Sequence, residues 1–232
     1  SIASGLFRLW GELTGETALL ELIAILISRV IALLIAFSVH ECAHAWTAYR
    51  LGDPTAKYMG RLTLDPRPHL DLLGTLMVLV AGFGWAKPVP VNPRNLRYGP
   101  VAGLAVVSAA GPFSNLALAV AFAAVWRVAA PVIVRFGANS WLIPTPYDLL
   151  QELVILNLAL LVFNLIPLAP LDGFSVLRGV LPRRWAYQMD QLQPYGPIIL
   201  FGLLALGYVG LPVLSWILGP PITALFWALW GL

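Results

Sequence analysis

Residues 36–50 read AFSVHECAHAWTAYR and place two histidines and a glutamate inside an otherwise apolar run. His40, Glu41 and His44 are costly there, because ionisable side chains are rare at membrane depth and are usually functional where they occur. Nothing breaks a helix over residues 17–51, so the run predicts one helix about 50 Å long at ~1.5 Å per residue. That length exceeds the ~30 Å hydrocarbon core of a bilayer, so the helix must tilt, kink or protrude.

The composition of the whole chain places this helix in lipid. Of 232 residues, 59% are hydrophobic and 11% are charged, whereas soluble domains carry about 25% charged residues. Several apolar runs reach the ~20 residues that a spanning helix requires. The sequence therefore predicts an all-α polytopic membrane protein with about 5–6 transmembrane helices, a re-entrant segment and a short β-hairpin or edge strand.

Other classes of protein are disfavoured by the same sequence. Basic residues do not cluster with stacking aromatic side chains, so no nucleic-acid partner is expected. The apolar stretch from Ala18 is too long for the core of a signal peptide and lacks a small-residue cleavage site, so none is expected. Cys42 is the single cysteine, which excludes an internal disulfide.

Further elements can be predicted along the chain. Residues 70–84 form an apolar stretch too short to span comfortably, which favours a re-entrant segment. Residues 101–130 and 149–165 predict two spans, and residues 195–231 predict one or two more. Alternation over residues 86–92, which include two prolines, is typical of an edge strand.

The basic residues predict which side of the membrane each loop faces. Ten of the fourteen lysines and arginines lie in residues 50–69, 87–97 and 178–184, which an alternating topology places on one side. The positive-inside rule makes that side cytoplasmic. His40 is then expected within the cytoplasmic half of the bilayer, in a multi-pass protein of the cell membrane.

The HExxH pattern of residues 40–44 has the spacing of a zinc site. Residues i and i+4 of a helix share a face, so both imidazoles can reach one Zn²⁺. Glu41 lies one position on, beside the metal, where it can act as a general base. The alternative is two histidines that are satisfied by packing alone. It is disfavoured because the chain has three histidines in all, and two of them stand at ligand spacing.

A catalytic zinc needs a third protein ligand and an open coordination position. Asp172 is the outstanding candidate among eleven acidic residues, because it ends an apolar helix after a stretch broken by proline. The next residue, Gly173, allows an unusual backbone conformation. Spacing alone leaves open the alternative that Asp172 only caps the helix that follows it.

Two distant motifs, VHECAHAW and NLIPLAPLDG, together resemble the signatures of the site-2 protease family of intramembrane zinc metalloproteases. The intervening GRLTLDPRPHLDLLGTL, GFGWAKPVPVNPRNLR and AGPFSN resemble the short bacterial and archaeal members, which lack PDZ and CBS modules. The resemblance covers most of residues 36–182 in the right order. It implies a metalloendopeptidase that cuts single-span membrane proteins in or near their transmembrane segment.

The resemblance also implies roles for individual residues. His40, His44 and Asp172 would bind one Zn²⁺, and Glu41 would be the general base. Asn164 would bind the substrate carbonyl or its oxyanion. The predicted organisation is one membrane-embedded peptidase domain over residues 1–232, with a catalytic core at about 17–182 and further spans at about 195–231.

Other polar or extended residues are weaker candidates for the site. An exposed edge strand could hold an unwound substrate by β-addition, and the alternative is an interfacial anchor for a hairpin. The predicted substrate contacts are Trp85, Ala86, Lys87, Pro88 and Val89. Asn115 and His69 could contact the metal ligands. Alternatively, Asn115 bonds between helices and His69 belongs to an interfacial pair with Asp71.

Two other functions would also use buried His, Glu and Asp side chains. A transporter or channel with an ion relay predicts matched broken helices in two halves, and only one such break is found. A non-catalytic, protease-like scaffold predicts a lost ligand or base, yet all four positions are present. The sequence therefore favours the peptidase, with membrane-protein substrates and lipid as its partners.

Overall fold

A computed structural model describes residues 16–71, 73–74, 77, 84–137 and 144–231. The helices in these ranges are α1 (Glu16–Arg50), α2 (Thr55–Tyr58), α3 (Pro100–Gly137), α4 (Pro146–Asn164), α5 (Asp172–Val180), α6 (Arg183–Leu192), α7 (Gly196–Tyr208) and α8 (Val213–Trp230). The long first helix and the helices predicted at 101–130 and 149–165 are thus confirmed, with slightly different ends.

Four helices of the described chain are long and apolar enough to cross a membrane. Their candidate spans are Leu22–Arg50, Pro100–Val132, Pro146–Asn164 and Val213–Trp230. Helix α7 has 13 residues, and at 1.5 Å per residue its length of about 20 Å falls short of the bilayer core. The expected 5–6 spans are therefore not confirmed, and much of the re-entrant segment predicted at 70–84 lies outside the described residues.

The edge segment, residues 84–92, makes one isolated antiparallel bridge, between Leu70 and Ala86. The N–H of Lys87 donates to the carbonyl of His69 at 2.8 Å. Pro88 and Pro90 follow and have no N–H to donate, which is typical of a strand at an edge. The described residues therefore contain an extended segment at this place but no β-sheet, and the hairpin is not confirmed.

One stripe of helix α1 is built almost entirely of small residues. Positions four apart share a helix face, and the buried row on this face is Ser28, Ala32, Ala36, His40, His44 and Ala48. Small residues allow neighbouring helices to approach closely in a membrane. The two histidines therefore lie on the surface of α1 against which the other helices pack.

Helices α3 and α4 pack beside this stripe. Ala119 and Ala123 of α3 lie in one buried cluster with Val154 and Leu158 of α4. An ion pair joins α4 to α1, with Arg29 Nη2 3.0 Å from Glu152 Oε1. Pairing is the usual state of charges within spans, and here it fixes the position of α4 along α1.

A buried carboxylate fixes the loop that follows α1. Asp53 Oδ1 accepts hydrogen bonds from Thr55 and from Asn95 Nδ2, and Oδ2 accepts from the N–H of Asn92 at 2.7 Å. Asp53 is 0% exposed. This side chain therefore ties the C-terminal end of α1 to the end of the edge segment.

Replacement of Asp53 by alanine is expected to lower the free energy of unfolding by about 2 kcal/mol, since several donors lose a charged acceptor. Burial alone would raise the pKa of Asp53, but the bonds from Thr55, Asn95 and Asn92 outweigh it and lower the pKa. Because the pKa of Asp53 is lower in the folded than in the unfolded state, its ionised carboxylate stabilises the fold at pH values above its unfolded pKa of ~3.9. Thermal unfolding in detergent should therefore show a deficit for D53A at pH 7 that shrinks as the pH falls below 4.

The matched control is Asp65→Ala in the same loop. Asp65 pairs with Arg67, whose side chain is 86% exposed, and exposed ion pairs contribute little to stability. Equal losses for D65A and D53A at pH 7 would contradict the role assigned to Asp53.

Candidate metal centre

Three donor groups from distant parts of the chain meet on the inner side of α1. His40 Nε2 and His44 Nε2 lie 3.0 Å apart. Asp172 Oδ2 lies 3.1 Å from the first and 3.3 Å from the second. Both histidines are buried. The structure thus brings together the HExxH pair and the aspartate that the sequence proposed as their partner.

The separations of these three atoms suit a small metal ion. Ligand atoms about 2.05 Å from a tetrahedral zinc lie about 3.3 Å from each other. The observed spacings of 3.0–3.3 Å are close to that value. Two imidazoles and one carboxylate also form a common donor set of catalytic zinc, which keeps its fourth position open. The residues therefore fit a bound Zn²⁺.

The outer nitrogens of both imidazoles are engaged in a way that fixes their tautomers. His44 Nδ1 donates to the carbonyl of Val107 at 2.8 Å, and a carbonyl can only accept. His40 Nδ1 donates to Asn115 Oδ1 at 2.6 Å. With both hydrogens on Nδ1, the lone pairs of both Nε2 atoms are available to the metal.

A second amide holds Asn115 in this orientation. Asn115 Nδ2 donates to Asn157 Oδ1 at 2.9 Å, and Asn157 Nδ2 donates to the carbonyl of Leu153 at 2.7 Å. Both asparagines are 0% exposed. Asn115 thus contacts a metal ligand and also bonds between helices. Asn157 was missed by sequence reasoning, although an asparagine in an apolar helix was a signal.

Asp172 is the first residue of α5, and its carboxylate faces the histidines. The N-cap position of α5 belongs to Leu171, and the cap makes no side-chain hydrogen bond. The alternative that Asp172 merely caps this helix is therefore wrong. Gly173 has a packing role, because a Cβ there would collide with the carbonyls of Leu165 and Ile166.

The backbone of α3 lies directly against both imidazoles. A Cβ on Gly111 would collide with His44 Nε2 and with the ring of His40. Glycine is required at this position because any side chain would occupy the place of the ligand atoms. Sequence reasoning did not single out Gly111, although it belongs to the AGPFSN motif.

Glu41 is 8% exposed, and its carboxylate has no hydrogen-bond partner among the residues that the structure describes. A general base needs an oxygen that is free to take a proton. Cys42 lies on another side of the helix, in an apolar groove with Val39 and Trp46. The local geometry therefore separates the base from the thiol.

None of the remaining candidates makes a hydrogen bond to the three donors in the part of the chain that the structure describes. Asn164 is the last residue of α4, and its Nδ2 donates to the carbonyl of Leu160 at 3.0 Å. His69 is buried, with Nε2 donating to the carbonyl of Thr63 at 2.9 Å. His69 therefore holds the loop together and does not position a metal ligand. Trp85 of the edge segment packs edge-on against Phe201, with ring centres 6.4 Å apart.

Comparison with known proteins adds independent information. The family model described as peptidase family M50 matches residues 28–194. YwhC of Bacillus subtilis, named as a candidate zinc metalloprotease, is 43% identical over 84% of this chain and 85% of its own length. Rip2 of Mycobacterium tuberculosis, named in the same way, is 33% identical over 71% of this chain and 62% of its own length. No solved structure matches the chain.

Replacement of Asn115 by leucine is expected to weaken zinc binding by about 10–100-fold, because the Nδ1 hydrogen of His40 loses its acceptor. Asn115→Asp keeps an acceptor oxygen and should bind zinc more tightly than the leucine variant. Competition with a coloured chelator measures both affinities. Ser38→Ala is the control, since Ser38 is buried on α1 with its Oγ unpartnered; N115L binding zinc as tightly as S38A would contradict the assignment.

Gly111→Ala is expected to reduce zinc binding at least tenfold, since its methyl group would push both imidazoles off the geometry that a metal requires. Metal content per chain after dialysis against chelator is the measurement. Gly202→Ala in α7 is the control, because a Cβ there meets no atom within 4 Å. Full zinc retention by G111A would show that α3 does not shape the site.

Proposed function

The chain belongs to peptidase family M50, the site-2 protease family, and on this premise we propose that it hydrolyses a peptide bond in or near the transmembrane segment of membrane-anchored proteins. It is a zinc metalloprotease by family and by the names of its relatives. The observation that carries the intramembrane proposal is the donor triad itself. His40 and His44 lie within the candidate span Leu22–Arg50 and meet Asp172 there.

The chemistry of the site divides between the metal and the chain. Zn²⁺, when bound by His40, His44 and Asp172, lowers the pKa of a coordinated water and polarises the scissile carbonyl. The Glu41 carboxylate accepts the proton that the attacking water loses and delivers it to the nitrogen of the departing amine. Its unpartnered state among the described residues supports this role.

Asn164 is proposed to bind the substrate carbonyl oxygen. It lies where α4 ends, directly before the non-helical stretch that leads to Asp172. Its Nδ2 group, which donates to Leu160 in the free protein, would turn toward the oxygen on which negative charge develops. Donors aimed at such an oxygen typically contribute about 10²–10³ in rate.

A transmembrane substrate must unwind locally before it can be cut, because helical amides are shielded by their own hydrogen bonds. The edge segment, with Trp85, Ala86, Lys87, Pro88 and Val89, is proposed to receive the unwound strand by main-chain pairing. Lys87 and the basic residues of the loop after α1 support a site that opens to the cytoplasm, because basic residues collect in cytoplasmic loops of membrane proteins.

The test is cleavage of a single-span peptide with a helix-destabilising segment by the purified protein in liposomes. Glu41→Gln is expected to lower kcat by about 10³-fold while zinc stays bound, because it removes only the proton acceptor. A zinc chelator should abolish cleavage, and added Zn²⁺ should restore it. Mass spectrometry of the products identifies the bond that is cut.

Cys42→Ala is the matched control on the same helix turn and should cleave as fast as the wild type. Cleavage that survives both E41Q and zinc removal would refute the metallopeptidase mechanism. Products cut only in the soluble flanks of the peptide would refute the intramembrane proposal.

A further inference from the structure

The main chain of Lys87, in the middle of the edge segment, is held through both of its polar groups. Its N–H donates to the carbonyl of His69 at 2.8 Å. Its carbonyl accepts a hydrogen bond from the Arg61 guanidinium, through Nη2. Both contacts come from the loop between α2 and the edge segment, so Lys87 is clamped from that side.

This clamp determines the direction in which the main-chain groups of the edge segment point. Adjacent residues of an extended strand direct their N–H and C=O groups to opposite sides. Since Lys87 is bonded toward His69, Ala86 directs its own N–H and C=O away from that loop. Pro88 can add only a carbonyl on the same open side. Ala86 is therefore placed to pair with an incoming strand through both groups.

Arg61 itself is an unusual residue to find buried. It is 5% exposed, and its Nε–H is buried with no partner among the residues that the structure describes. Its backbone N–H is anchored to the carbonyl of Ala56 at 2.8 Å. A neutral donor such as glutamine would suffice to bind a carbonyl, so burial of a full charge calls for a further reason.

The negative charge of Glu41 favours the charged form of this buried guanidinium. Burial lowers the pKa of Arg61, and the carboxylate of Glu41 acts in the opposite sense by favouring the charged guanidinium. Arginine remains charged in proteins, because its ordinary pKa lies far above neutral pH. The guanidinium is therefore charged and is bonded to the edge segment through the carbonyl of Lys87.

We propose that Arg61 is a positioning residue that holds the edge segment in place through the carbonyl of Lys87, so that a strand paired with Ala86 presents its carbonyl to the reacting groups. The inference rests on the proposed function. Its physical basis is that a misplacement of about 1 Å in the reacting groups can cost about 10²-fold in rate. A purely structural Arg61 would instead stabilise the loop without affecting kcat.

The test compares three variants that separate charge from hydrogen bonding. Arg61→Met removes both, Arg61→Gln keeps a donor without charge, and Arg61→Lys keeps the charge on a shorter arm. Arg67→Gln is the control, because Arg67 is a basic residue of the same loop with an exposed side chain. Zinc content, melting temperature, kcat and KM for the single-span peptide are measured for each.

R61M is expected to lower kcat about 100-fold, with KM within about threefold of wild type and zinc content unchanged. R61Q and R61K should each lie between R61M and wild type, and R67Q should match wild type. A wild-type kcat in R61M would overturn the inference. Loss of zinc or of folding in all three Arg61 variants would assign a structural role alone and would also overturn it.

Hydrogen exchange separates this inference from the proposed function. Exchange at the Lys87 amide should be about tenfold faster in R61M than in wild type or R67Q, because the carbonyl of the same residue is released and the segment can open. If wild type cleaves no membrane peptide while this difference is present, the proposed function fails and the clamp is retained. If exchange is unchanged in R61M, the clamp itself is refuted.

Discussion

The rest of this structure depends on the convergence of His40, His44 and Asp172 on one point inside a membrane helix bundle. Each imidazole has a second nitrogen that must find an acceptor away from water, since an unsatisfied buried polar group is expensive. Helix α3 supplies both acceptors, Asn115 Oδ1 and the carbonyl of Val107. Because these groups are short, the backbone of α3 must lie directly on the two rings. The metal site thus dictates how closely α1 and α3 approach.

That approach explains why α1 is apolar but not uniformly bulky. Its buried row consists of serine and alanine apart from the two ligands, whereas large residues such as Ile23, Leu26 and Ile27 lie at about 40% exposure on the outer side. Leucine in the buried row would hold the neighbouring helices ~8–10 Å away, as in ordinary helix packing. The acceptors of α3 would then not reach the imidazoles. The small residues on this face of α1 are therefore needed for the metal site, because only a close approach of α3 brings its acceptors to the imidazoles.

Sequence reasoning reached those features that depend on local spacing. The i and i+4 histidines and the break before Asp172 are short-range signals, and the bounds of α1 follow from an uninterrupted apolar run. Gly111, Asn157 and Arg61 were missed, because the role of each depends on a contact with residues far away in the chain. The number of spans was also expected to be higher, because the segment that forms α7 is apolar enough for a span while its helix of 13 residues is too short. Tertiary contacts between single residues produce no periodic pattern in the sequence.

The polar groups behind the metal site also decide between a peptidase and an ion relay. From His40 the hydrogen bonds run through Asn115 and Asn157 and end at the carbonyl of Leu153. Amides and main-chain carbonyls orient hydrogens but do not titrate. This series of hydrogen bonds therefore fixes the tautomer of His40 and passes no proton onward. The ion pair of Arg29 with Glu152 lies eleven residues from His40 along α1, about 16 Å at 1.5 Å per residue. No hydrogen bond among the described residues connects this pair to the ligands. The buried histidines thus belong to one converging centre, and the ion pair of Arg29 with Glu152 is a separate link between α1 and α4.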